Sequence, residues 1–134
     1  MKNLALMGCA LLTTALPAVA HAADKSPQAQ LARALEGRVA GDPVDCIQLR
    51  NIRSSQIIDK TAIVYDGPGN TVYVNYPDAG AESLDDWVYQ VTDTHSSQLC
   101  SIDTVKLYDR GSNAFSGVVF LGQFIPYRKA SEGG

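Results

Sequence analysis

The chain divides by the period of its apolar residues. Between Ser26 and Gly37, Leu31, Ala34 and Leu35 fall at i, i+3, i+4 and share one side of a helix. Ser26 can accept from the free N–H groups of the first turn, Pro27 suits the first helical position, and Gly37 is a natural terminator. A helix this short is not stable alone in water, so it must pack on the rest of the chain or fray. Residues 38–43, with Gly41 and Asp42-Pro43, read as a connector.

From Val44 onward the helical period is lost. Cys46, Ile47, Leu49 and Ile52 begin a strand region that Ile57 and Ile58 continue, with Ser54-Ser55-Gln56 between them as a bend or turn. The clearest hairpin follows. Thr61–Tyr65 and Thr71–Asn75 are rich in β-branched and aromatic residues and flank Asp66-Gly67-Pro68-Gly69-Asn70, a loop of turn formers. Residues 76–83 form a loop, and Trp87–Val91 a further strand with Trp87, Tyr89 and Val91 on one face. A polar connector spans 93–98. Residues 102–108 alternate again, with Val105 and Leu107 sharing a face and Ile102 offset, before a turn at 109–113. The run 117–125 is apolar on both faces, which fits a central or doubly covered strand with Gly122 as a candidate bulge.

Together these segments predict a mainly β chain: a small antiparallel barrel or sandwich of about six strands, with one short N-terminal helix. The expected division is a helix and connector over 23–43, a β-domain over 44–127 and a flexible tail over 128–134.

The first residues change the picture of where this domain works. Lys2, the apolar run from Leu4 to Val19 and Ala20-His21-Ala22 have the three-part pattern of a signal peptide over 1–22, cut before Ala23. Leu6-Met7-Gly8-Cys9 superficially resembles a lipoprotein box, but the apolar run follows Cys9 and does not precede it, so Cys9 is expected to leave with the leader. The expectation is a periplasmic or secreted protein with no membrane anchor after cleavage. In an oxidising compartment the two remaining cysteines, Cys46 and Cys100, read as a disulfide. The alternative is a reactive thiol or a redox pair, and the absence of Cys-x-x-Cys weighs against it.

Charge and chemistry narrow the function further. A net charge of −3 argues against nonspecific nucleic-acid binding, which depends on clustered Lys and Arg. His95 is the only histidine outside the leader and reads as an exposed loop residue, since catalytic use would need partners close in space. One histidine and two cysteines do not make up a zinc set. Asp78, Glu82, Asp85 and Asp86 recur without the spacing of an EF-hand and read as a solvated loop. The loop from Asp66 to Asn70 lacks the helix and the Lys-Ser/Thr pair of a phosphate cradle. No cofactor or catalytic set is expected.

Aromatic residues are the remaining candidates. Tyr73 lies opposite Val72 and Val74, Tyr108 lies opposite Val105 and Leu107, and Trp87 and Tyr89 share a face. Tyr73, Trp87, Tyr89 and Tyr108 form the candidate binding surface. Cross-strand packing within the sheet is the simpler account of the same residues.

Several short motifs recur in a fixed order: Cys46-Ile47 with Ile52-Arg53, Asp59-x-Thr61-x-Ile63, Val72-Tyr73-x-Asn75, Leu99-Cys100-x-x-Asp103-x-Val105 and Leu121-Gly122-x-Phe124-x-Pro126. Over about residues 44–127 the chain resembles a family of small secreted or lipoprotein-like proteins of Gram-negative bacteria, classed as a domain of unknown function. The resemblance implies no activity and no catalytic residues. Many relatives carry a second cysteine pair, which this chain lacks at both positions, and that joint absence supports the pairing of Cys46 with Cys100. The resulting expectation is a non-catalytic, envelope-associated β-domain that binds an envelope protein or a small molecule. The alternatives are a hydrolase using carboxylates such as Asp85, Asp86 and Asp103, or a purely structural assembly protein.

Overall fold

The strong hairpin is the centre of the molecule. In the computed structural model, which describes residues 14–18 and 24–130, helix α1 (Pro27–Ala34) precedes ten strands. They are β1 (Arg38–Ala40), β2 (Cys46–Gln48), β3 (Ser54–Ile58), β4 (Ala62–Asp66), β5 (Val72–Asn75), β6 (Val88–Thr92), β7 (Gln98–Cys100), β8 (Thr104–Asp109), β9 (Phe115–Phe120) and β10 (Phe124–Lys129). They form three antiparallel sheets in the orders β1-β10-β5-β4-β3, β2-β7 and β6-β8-β9. No closed barrel forms among the described residues. Most of the expected leader (residues 1–13 and 19–22, including Cys9) and the end of the expected tail (131–134) lie outside the described residues.

Strand β4, between β5 and β3, is buried on both faces, and its alternation sorts two cores. Ile63 and Tyr65 point into the larger one, with Ile47, Leu99, Val88, Val105, Leu107, Val119 and Phe124 from the other strands. All three sheets therefore contribute to one interior. Ala62 and Val64 point the other way, onto Val72, Val74 and Ile58, where Leu31, Ala34 and Leu35 of the helix cover them. The helix thus packs with the face its spacing marks out, and Ser26 Oγ accepts from the Ala29 N–H at 3.2 Å to cap its start.

Cys46 and Cys100 are directly opposite in the β2–β7 pair and are joined by a disulfide. This bridge holds together strands of only three residues each, which could not persist as a pair by themselves.

The strand count departs from expectation at four places. Arg38–Ala40 is not connector but an edge strand, paired with Tyr127–Lys129, so the expected tail begins inside β10. Ser54-Ser55-Gln56 is not a turn but the first part of β3; the turn comes earlier, as a three-residue 3-10 helix at Leu49–Asn51. The polar connector 93–98 ends in β7, and Ile102 sits in a turn, not in the following strand. Finally, 117–125 is not one doubly covered strand. It is the end of β9 and the start of β10, which lie in different sheets.

That last crossing has a definite cause. The Asn75 side chain, fully buried, donates from Nδ2 to the Gly122 carbonyl at 2.7 Å and accepts from the Gly122 N–H at 3.0 Å. The amide acts as a short piece of strand and satisfies the backbone where the chain leaves one sheet for the other. Glycine is required there by space: an added Cβ would lie 2.5 Å from the Tyr76 carbonyl oxygen. Val119, Leu121 and Phe124 all enter the same interior from either side of the crossing, which is why the run looks apolar throughout.

Candidate functional site

Two surfaces carry side chains that packing alone does not account for. The first is the outer face of the three-stranded sheet. Val105 and Leu107 of β8 point inward, so Thr104, Lys106 and Tyr108 point out. Residues directly opposite across antiparallel strands share a face. Tyr108 is opposite Tyr89 and Phe115, Lys106 is opposite Val91 and Val118, and Thr104 is opposite Phe120. A register shift between Leu107 and Tyr108 places Ser116 as the extra residue and brings Phe115 onto the outer row.

The row is an aromatic ladder. Tyr89 and Tyr108 stack with centroids 5.7 Å apart, and Phe115 meets Tyr108 edge-on at 5.9 Å. At the same end, Trp87 precedes β6 and its backbone carbonyl accepts from the Arg110 N–H at 2.9 Å. The Tyr89 hydroxyl lies 3.3 Å from Asn113 Oδ1 and donates to it. The turn that holds these groups is built by Asp109, whose Oδ1 accepts from the Ser112 and Gly111 N–H groups and from Ser112 Oγ. Those bonds, from the Ser112 backbone and hydroxyl first and then the Gly111 backbone, hold the Asp109 carboxyl below the usual carboxylate range.

Cross-strand packing accounts for the contacts within the ladder but not for its exposure. Trp87 is 63% exposed, Phe115 62%, Phe120 50% and Val91 41%. Lys106 is the one charge among these cross-strand partners, and its ion pair with Asp93 at 3.7 Å is a surface pair that contributes little.

Three of the four candidate aromatics, Trp87, Tyr89 and Tyr108, come together at this end of the sheet. Tyr73 does not. It lies on β5, opposite Tyr65, and packs against the large interior core, close under Gly67. The alternation that separates Tyr73 from Val72 and Val74 is correct, but both faces of that sheet are covered. Phe115 and Phe120 join the surface although the residues of β9 gave no clean alternation to mark them.

The second surface is a cleft of about 300 Å³ between β3 and β6. Here the interior changes character. On β6, Val88 is in the core, and Gln90 and Thr92, on the same side, line the cleft. On β3, Ile57 packs on the core and Ser55 lines the cleft. The Tyr65 phenol donates to Gln90 Oε1 at 3.4 Å, and Gln90 Nε2 donates to Ser55 Oγ. Burial pushes the Tyr65 phenol well above the usual tyrosine range, so it stays a neutral donor. Arg53 stands at the rim, with Nη2 3.1 Å from Asp66 Oδ1 and 3.1 Å from the Gly67 carbonyl. Sequence reading passed over this site, although it left a signal: Gln90 and Thr92 are polar at positions in phase with buried Val88.

The remaining candidates are not assembled into a reactive group. His95 is exposed in the segment between β6 and β7. Asp85 Oδ1 accepts from the Trp87 N–H at 2.8 Å, and Asp103 Oδ2 accepts from the Cys100 N–H at 2.7 Å. Both carboxylates thus shape turns, and none lines the cleft. Among the described residues, no group of three or more His, Cys, Asp or Glu side chains is placed to hold a metal ion. Nor, among them, is any helix long and apolar enough to cross a membrane. No family model, curated protein or solved structure matches the chain. The resemblance to the family of small secreted proteins therefore rests on its short motifs alone.

Proposed function

We propose that this chain is an exported, non-catalytic β-domain that binds another envelope protein through the outer face of β6, β8 and β9. The leader pattern, the disulfide and the resemblance support export, and the layering of the sheets fits a sandwich better than a barrel. The observation that carries the binding reading is the exposed aromatic ladder, with Trp87, Phe115, Phe120 and Val91 all substantially uncovered around Tyr89 and Tyr108. Its composition favours a protein partner. The centres of protein interfaces are enriched in Trp, Tyr and Phe and poor in charge, and a few such anchors supply most of the affinity. A carboxylate hydrolase has less support, because Asp85 and Asp103 are engaged in turns.

The test is capture from an envelope fraction by the tagged protein and by a Trp87→Ala/Phe115→Ala variant of equal thermal stability. The expected result is a protein retained by the first and lost from the second. Identical capture by both, or steady hydrolytic turnover by the purified protein, would overturn the reading.

A further inference from the structure

The cleft between β3 and β6 contains a hydrogen-bond chain that runs from Tyr65 through the Gln90 amide to Ser55. Tyr65 donates to Gln90 Oε1 at 3.4 Å, so the Gln90 amide nitrogen faces Ser55 and donates to its Oγ. A hydroxyl that accepts one bond keeps its own proton for another. Ser55 therefore offers that proton to the cleft. Thr92 and Ser54 add hydroxyls that can donate or accept, while Leu49 and Ile52 supply an apolar wall.

Charge excludes several occupants. The lining holds no carboxylate to receive a cation. Its one cation, Arg53, stands at the rim with Nη2 on Asp66 and the Gly67 carbonyl, so the Asp66 carboxylate offsets its charge and repels an anion placed beside it. A wholly apolar ligand would strip water from the hydroxyls without replacing its hydrogen bonds. What fits is an uncharged molecule with hydroxyls along one edge and aliphatic C–H groups on a face. The volume, about 300 Å³, is at the lower end for small-molecule sites and suits a single ring.

We infer that this cleft binds one neutral sugar ring, with its hydroxyl edge on Ser55, Gln90 and Thr92 and its C–H face on Leu49 and Ile52. This site is separate from the aromatic face of β6, β8 and β9, and either can fail without the other.

The test is saturation-transfer NMR on the purified protein with glucose, galactose, N-acetylglucosamine and glucuronate as probes, each titrated to tens of millimolar. At least one of the three neutral sugars is expected to bind with a millimolar or tighter Kd, and glucuronate at least tenfold more weakly. Ser55→Ala and Thr92→Val should each weaken that binding about tenfold, and Trp87→Ala should leave it unchanged. Ser55 is exposed and Thr92→Val is nearly isosteric, so the two variants check one another if either melts early. The inference is overturned if no neutral sugar gives transfer, if glucuronate binds as well, if both variants bind like the parent, or if Trp87→Ala abolishes binding.

Discussion

The five-stranded and three-stranded sheets share one interior but differ on their far sides. At the centre of the five-stranded sheet, the outer side is covered by α1, through Leu31, Ala34 and Leu35 on Val64, Val72 and Val74. The three-stranded sheet has no such cover among the described residues, yet its outer row is Tyr89, Tyr108 and Phe115. Apolar residues on the first sheet are explained by packing within the chain. On the second, the same residue types remain half in water, and contact with something outside the chain is the explanation proposed here. Scattered exposed apolar residues are ordinary, and Ile102, 90% exposed in its turn, is one; a contiguous aromatic patch is not.

The largest expected effect belongs to the disulfide that joins β2 to β7. Replacing both Cys46 and Cys100 with serine removes a bridge of sequence separation 54, which is worth about 4 kcal/mol by the chain-entropy model. Chemical denaturation should show that loss. Next come side chains that face the shared interior. Ile63→Ala on β4 and Leu107→Ala on β8, both fully buried, should each cost about 3 kcal/mol, as read from urea midpoints. Val64→Ala should also cost about 2 kcal/mol, because the helix covers that side of β4. If Val64→Ala were neutral, the contrast between the sheets would lose its basis.

Asn75→Ala leaves the Gly122 N–H and carbonyl without partners in a buried position, at a cost on the order of 3 kcal/mol. A pH effect follows from Tyr65. Its folded phenol holds its proton more tightly than the unfolded one, so its stabilisation is complete below the ordinary tyrosine range near pH 10 and falls as pH rises above it. Stability measured from about pH 9 to 11 should decline, and Tyr65→Phe should remove much of that slope. The smallest effects lie on the open face. Lys106→Ala and Phe115→Ser should change stability by about 0.5 kcal/mol or less, while Phe115→Ser loses the captured partner.

Much of this arrangement was legible in single residues. Thr61–Tyr65 and Thr71–Asn75 carry a strand signal and a turn signal at once, and the hairpin falls within one residue of its expected bounds. Val105 and Leu107 correctly assign the inner face of β8, and Leu31, Ala34 and Leu35 the packed face of α1. What escaped is set by partners far along the chain. Arg38–Ala40 and Gln98–Cys100 are too short to show a period and become strands only because Tyr127–Lys129 and Cys46–Gln48 lie beside them. The break between β9 and β10 depends on Asn75, 47 residues before Gly122, and nothing local to 117–125 announces it. Tyr73 was placed on the correct side of its strand, but whether that side met solvent or another sheet depended on the whole fold. The cleft was marked only by Gln90 and Thr92 breaking an apolar phase.

The most direct test of the open face is site-specific photo-crosslinking in intact cells, with a photoreactive phenylalanine analogue at position 115 and, as control, at position 102. The account predicts a discrete adduct from position 115 to a different protein, identified by peptide sequencing, abolished by Trp87→Ala and absent from position 102. Equal adducts from both positions, an adduct only to a second copy of this chain, or no adduct at all would contradict it.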